Sequence, residues 1–162
     1  YGRSEGEASW ENLQGADGHA TLRYVSEAAG VPVSDLVVVA LSLGGFVALH
    51  TADDLPPRAL VLESVFANSQ LLLDGSLRMD VPTGWFFAED WENDRAIGAV
   101  EVPVLVIHGR ADDFVDPESG EILFDAANDP KELWQPEGVG HADLYELRPD
   151  DYQERAAGFL DR

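Results

Sequence analysis

The sequence predicts an α/β protein, a parallel sheet with helices on both faces, and three features carry that prediction. Apolar runs of strand length recur along the chain, helical patterns separate them, and the runs are continuous in hydrophobicity rather than alternating. Continuous runs mark strands covered on both faces, and strands alternating with helices mark a parallel sheet. The 162 residues suffice for one domain with a real core, because a chain of this size buries about two-thirds of the surface it exposes when unfolded.

Each element has its own signal. Asp17–Ala29 carries a helical pattern that stops at Gly30, a residue suited to the left-handed cap of a helix end. Residues 35–41, "DLVVVAL", form the first strand and residues 43–52 the helix after it. Residues 59–62, "ALVL", form the second strand. The long, aromatic and irregular stretch 66–91 then breaks the rhythm, and it reads either as a substrate-facing cap or lid or as a helix and loop covering the sheet. Residues 102–108, "VPVLVIH", make the third strand, and a helix over 117–127 follows behind Asp116 as its cap. The weaker "KELW", Lys131–Trp134, is the fourth strand, and residues 150–160 close the chain as a helix. No internal repeat or low-complexity tract interrupts this order.

Charge narrows the partners. Thirty-one Asp and Glu face ten Lys and Arg, a formal charge of −21, and Lys131 is the only lysine. Such a surface repels phosphates and anionic membranes, so the expectation is no nucleic acid and no membrane among its partners. The acids are scattered and form no block, which makes them an acidic coat rather than a tail. Without cysteine there is no disulfide framework and no thiolate nucleophile or Cys metal site. No signal peptide or membrane-length apolar run is present, and a cytoplasmic location is expected.

Chemistry concentrates at "ALSLGG", where Ser42 sits between a strand and a helix with small residues Ala40 and Gly44 at its −2 and +2 positions. A nucleophile elbow needs that context, since larger side chains at those positions are expected to collide with neighbouring backbone in the strained turn. A serine hydroxyl needs a base to take its proton, and an imidazole base needs an acid to fix its tautomer. Of four histidines, His19 and His50 fall on helices and His108 ends a strand. His141, in "GVGHADL", lies on a glycine-flanked loop at the carboxyl end of a strand, where sites in parallel sheets form. For the acid, "HGRADDFVDP" offers Asp112, Asp113 and Asp116, and Glu63 past the second strand is a further option.

"YGRSEG", "ALSLGG", "PVLVIHGRADDFV" and "GVGHADL", in that order, resemble the α/β-hydrolase superfamily, in particular its esterase, acylglycerol-lipase-like and acyl-peptidase-like members. The resemblance spans nearly the whole chain. It implies a catalytic triad of Ser42, Asp112 and His141 in the family's chain order, with the acid at the Asp of "HGxxDxxV", and it assigns the backbone N–H of Leu43 to the oxyanion hole. His108 and Gly109 match a structural feature of the motif. The family places further strands and a second oxyanion donor ahead of the "YGRSEG" turn, so the chain resembles an α/β-hydrolase fold lacking its first strands, a single partial domain over 1–162 with its cap insertion at about 66–91. Losing one oxyanion donor costs about 3 to 4 kcal/mol. The first strand is then expected to be an exposed apolar edge.

The function that follows is a serine hydrolase acting on an ester or related acyl bond of a small molecule, with no cofactor and no metal. The alternative is a noncatalytic relative serving as a binding or assembly module, or a gene fragment. Oligomeric state and acyl preference are open at this level. The acidic coat resembles that of proteins from salt-loving organisms, in which molar salt screens self-repulsion to a Debye length of about 3 Å. Melting temperature is therefore expected to rise between dilute buffer and molar NaCl, and equal stability at both would remove the halophilic reading.

Overall fold

The computed structural model describes residues 9, 12–77 and 91–161. Four strands, β1 (Val37–Leu41), β2 (Ala59–Glu63), β3 (Val104–Ile107) and β4 (Lys131–Trp134), form one sheet in the order β1-β2-β3-β4. All neighbours are parallel, and the last residues, Leu41, Glu63, Ile107 and Trp134, pair across the sheet at one level. The helices that return the chain are α1 (Asp17–Ala29), α2 (Leu43–Asp54), α3 (Ser69–Leu77), α4 (Asn93–Ala96), α5 (Glu118–Ala126), α6 (Leu144–Leu147) and α7 (Pro149–Leu160). This is the parallel sheet with helices on both faces that the apolar runs predict.

The two central strands explain why continuous hydrophobicity is needed. Every residue of β2 and β3 is buried. Leu60, Leu62, Val104 and Val106 face one side, against Leu49 and Ala52 of α2 and Leu123 of α5. Val61, Leu105 and Ile107 face the other, against Val139, Leu144 and Phe159. Burial of each such side chain contributes about 1.5 to 3 kcal/mol. The outer strands differ. Among the described residues β1 pairs only with β2, and Val39 and Leu41 are 59% and 47% exposed, the apolar edge expected from the sequence. A groove of about 330 Å³ runs beside it, lined in part by Leu22, Val38, Val39 and Val47. β4 is half-buried throughout.

Element ends follow local chemistry. Gly30, at φ 68°, closes α1 while its N–H and that of Val31 bond Glu27 and Ser26 carbonyls. Asp116 accepts the Glu118 N–H at the start of α5, and Lys131 Nζ reaches the Phe124 and Asp125 carbonyls at its end, 2.8 and 3.2 Å away. Pro149 opens α7, where its missing N–H costs nothing. Of the predicted insertion 66–91, α3 is described and residues 78–90 lie outside the described residues. Its two ends are tied together: the Trp91 N–H donates to Ser69 Oγ at 2.7 Å, Asn68 Nδ2 to Asp94 at 3.0 Å and Asn93 Nδ2 to the Phe66 carbonyl at 2.8 Å.

One steric expectation is corrected. A Cβ on Gly44 would meet nothing within 4 Å among the described residues, whereas one on Gly45 would overlap the Val65 side chain. The close approach that demands a glycine is thus three residues past Ser42, where α2 presses on the segment after β2. Gly45→Ala is expected to destabilise the fold by about 1 to 3 kcal/mol through overpacking. Gly44→Ala, gaining helix propensity, is expected to leave it unchanged or raise it by up to about 1 kcal/mol. Urea midpoints of the two variants measure the difference.

Candidate active site

Ser42 joins β1 directly to α2, with no loop between, and the backbone takes up the change of direction at that one residue. Its φ of 50° and ψ of −118° lie where side chains other than glycine are strained, at a cost of about 1 to 3 kcal/mol. The surroundings hold it there. The Ser42 N–H bonds the Glu63 carbonyl at 2.9 Å, its own carbonyl accepts the Gly45 N–H, and α2 is anchored by the buried Phe46 and Leu49. Leu43 begins α2, so its N–H has no carbonyl behind it within the helix and carries the partial positive charge of a helix start.

Asp112 lies in the loop after β3 with its side chain wholly excluded from solvent. Its Oδ1 accepts the Phe114 and Val115 N–H groups at 3.0 and 2.9 Å, and its Oδ2 accepts His141 Nδ1 at 2.9 Å. His108 Nε2 stands 3.3 Å from the same Oδ2 and 3.1 Å from the Val115 carbonyl. Burial opposes the charge, yet the hydrogen bonds from His108, Val115, His141 and Phe114 outweigh it and hold the carboxyl well below the usual carboxylate range. Asp113 is exposed and Asp116 is occupied at the start of α5, so among the four acids offered by the sequence it is Asp112 that hydrogen-bonds His141.

The histidine loop is held by backbone contacts. Gly109 lies so close to Val139 that a side chain there would strike its carbonyl, and the Ala111 N–H bonds that carbonyl at 2.9 Å. Beyond it Ala142 adopts φ 62° and its N–H donates to Ser64 Oγ at 3.3 Å, Ser64 itself having φ 51°. Consecutive residues, Glu63 and Ser64, therefore hold the turn of Ser42 and the loop of His141. With Nδ1–H donated to Asp112, the neutral His141 ring carries its lone pair on Nε2, the tautomer a general base requires. The Phe114 ring lies 5.0 Å from the imidazole and is 47% exposed.

Two of the three residues that the resemblance groups, His141 and Asp112, are joined in this way. Among the described residues the hydrogen-bonded chain starts at His108 and His141, meets at Asp112 and stops short of Ser42, whose turn stands at the same level two strands away. Catalytic contacts of this kind are often long in unliganded sites. His108 is the residue that sequence reasoning undervalued. It is fully buried against Gly120 and braces the acid, and its four-residue spacing from Asp112 was the available signal.

A carboxylate held below its unfolded pKa of about 3.9 stabilises the fold above that pH, and the contribution fades as pH falls through and below it. Asp112→Asn is expected to cost about 1 to 3 kcal/mol near neutrality, since the buried His108 and the part-buried His141 both lose a charged acceptor. The gap between the two proteins should narrow between about pH 5 and pH 2.5. Urea unfolding across that range checks it, and a gap independent of pH would contradict the charge assignment.

No protein-family profile matches the chain. It is 34% identical over 144 residues to an uncharacterized protein of Mycobacterium tuberculosis, covering 88% of this chain and 50% of that protein. It is 31% identical over 164 residues to the alpha/beta hydrolase domain-containing protein aho-3 of Caenorhabditis elegans, covering 99% and 46%. The chain thus spans about half the length of the curated relatives it matches. In structure it resembles the Pyrococcus furiosus esterase Pf2001, with a TM-score of 0.76 at 17% identity over 98% of this chain and 64% of that one. It also resembles the esterase RhEst1 from Rhodococcus sp. ECU1013, with a TM-score of 0.73 at 15% identity over 99% and 76%. The fold is that of the α/β-hydrolases.

Proposed function

We propose that the chain carries the catalytic centre of a serine hydrolase that cleaves an ester or related acyl bond. The observation that carries the reading is the His141–Asp112 pair at 2.9 Å, standing at the same sheet end as the strained turn of Ser42. Ser42 Oγ attacks the acyl carbonyl while His141 Nε2 takes its proton, and Asp112 steadies the imidazolium through Nδ1. The Leu43 N–H receives the oxyanion of the tetrahedral intermediate. His141 then protonates the leaving group, an acyl-enzyme forms at Ser42, and water activated by His141 releases the acid and restores the serine. The reading needs no cofactor. The exposed Phe114 ring beside His141 favours a small-molecule substrate with an apolar acyl or alcohol group.

The esterase descriptions of its structural neighbours support the same class. The acidic surface supports an uncharged or cationic partner rather than nucleic acid or an anionic membrane, and no described helix is long and apolar enough to cross a membrane. A cytoplasmic, halophilic protein is the corresponding setting. A second reading, a noncatalytic module, is favoured by the apolar edge of β1. Turnover of short p-nitrophenyl esters distinguishes the two.

A fluorophosphonate probe is expected to label the intact protein and to spare Ser42→Ala, and equal labelling of both would refute the role of Ser42. Esterase activity should fall on the acid side of its profile, where a protonated imidazole can no longer accept the serine proton. A flat profile down to pH 5 would exclude His141 as the base.

A further inference from the structure

Two anchors fix Phe114 beside the histidine. Its N–H donates to Asp112 Oδ1 at 3.0 Å, and the other oxygen of that carboxylate accepts His141 Nδ1 at 2.9 Å, so one buried group sets the place of both residues. The next residue, Val115, is fully buried with Phe46 and Phe66 and holds the segment from its C-terminal side. Between these anchors the Phe114 ring lies 5.0 Å from the imidazole, centroid to centroid, tilted by 60°. That separation is ordinary aromatic contact, so a group bound at the edge of one ring comes within reach of the other. The residue is nevertheless 47% exposed. A large ring fixed in this way beside a candidate base offers apolar surface that a bound ligand can cover.

The chemistry of the histidine decides which part of a substrate meets that ring. In acylation the bond between the acyl carbon and the alcohol oxygen breaks with its electron pair kept by the oxygen, and the proton that His141 Nε2 took from Ser42 Oγ passes to that oxygen. The departing alcohol therefore stands within hydrogen-bond reach of the imidazole, about 3 Å from Nε2, while the oxyanion turns to the Leu43 N–H at the start of α2. Once the alcohol has left, water takes its place. We propose that Phe114 is a specificity-determining residue that packs against the leaving alcohol, and that esters of aromatic or bulky apolar alcohols are preferred to those of short alkyl alcohols. This role rests on His141 as the base proposed above and assigns the apolar group to the alcohol side of the ester. Changes at Phe114 then act on the choice of alcohol and leave the choice of acyl group alone.

Paired ester series test this assignment. With the acetyl group fixed, the ratio of kcat/KM for benzyl acetate to that for ethyl acetate is expected to fall about five- to thirtyfold in Phe114→Ala, and Phe114→Tyr, which keeps the ring, should retain most of the preference. With the alcohol fixed as p-nitrophenol, the ratio for hexanoate to acetate should change by less than about twofold. An equal loss for benzyl and ethyl esters would mean that the ring only steadies His141, and a change confined to the acyl series would place it on the acyl side; either result overturns the proposal. A binding measurement needs no turnover. Benzyl alcohol at millimolar concentration is expected to shift the His141 ring-proton resonances of the unaltered protein and to leave those of Phe114→Ala in place, and resonances that stay put in the unaltered protein likewise overturn it. Labelling of Ser42 by the fluorophosphonate tests the serine-hydrolase reading separately. An unlabelled protein that still shows the benzyl alcohol shifts would refute that reading while leaving Phe114 as a site for apolar alcohols.

Discussion

A buried negative charge with no water to solvate it organises the upper end of this sheet. An isolated carboxylate at the place of Asp112 would take up a proton rather than stay ionised. It stays ionised because donors reach it from the end of β3, from its own loop and from the loop after β4. Those donors are useful only if the segments carrying them are fixed relative to one another. The backbone contacts of Gly109 and Ala111 with Val139, and the packing of Gly120 on the His108 side chain, supply that fixing. The imidazole of His141 thereby inherits its orientation from a carboxylate whose side chain is wholly internal.

Among the described residues, three of the cations serve the backbone. Lys131 closes α5 by binding its last carbonyls, Arg58 donates to the Leu160 carbonyl at 2.8 Å and Arg148 to that of Glu137 at 2.7 Å. Surface ion pairs such as Arg95 with Glu92 add little by themselves. Lys131 and Arg58 thus satisfy carbonyls at the ends of α5 and α7 that have no partner within the helix, while Arg148 holds the loop after β4.

Much of this architecture is legible in the residues. The buried strands declare themselves because both faces need apolar side chains, and Lys131–Trp134 emerges despite its mixed composition because a turn precedes it and a glycine-rich loop follows. Boundaries slip where tertiary contacts decide. Residues 33–35 coil into a short 3-10 turn ahead of β1, and Glu63 extends β2 because its carbonyl has Ser42 to bond. The serine turn is visible as strand, serine and helix in immediate succession, yet the glycine that matters sterically is Gly45, since only the fold brings Val65 against it. The four-residue spacing of His108 from Asp112 is legible, whereas the burial of His108 and the contact of Ser64 with the histidine loop are not. They depend on which face of a strand each side chain occupies and on which loop lies above it.

The four strands finish in one row, Leu41 beside Glu63 beside Ile107 beside Trp134. Each strand then hands a single duty to the segment that follows it: a hydroxyl, a brace, a carboxylate and an imidazole. Because the connections leave from a common floor, each meets its neighbour at one height, and the contacts between them, Ser64 with Ala142 and Ala111 with Val139, set how far any one can change without moving the next.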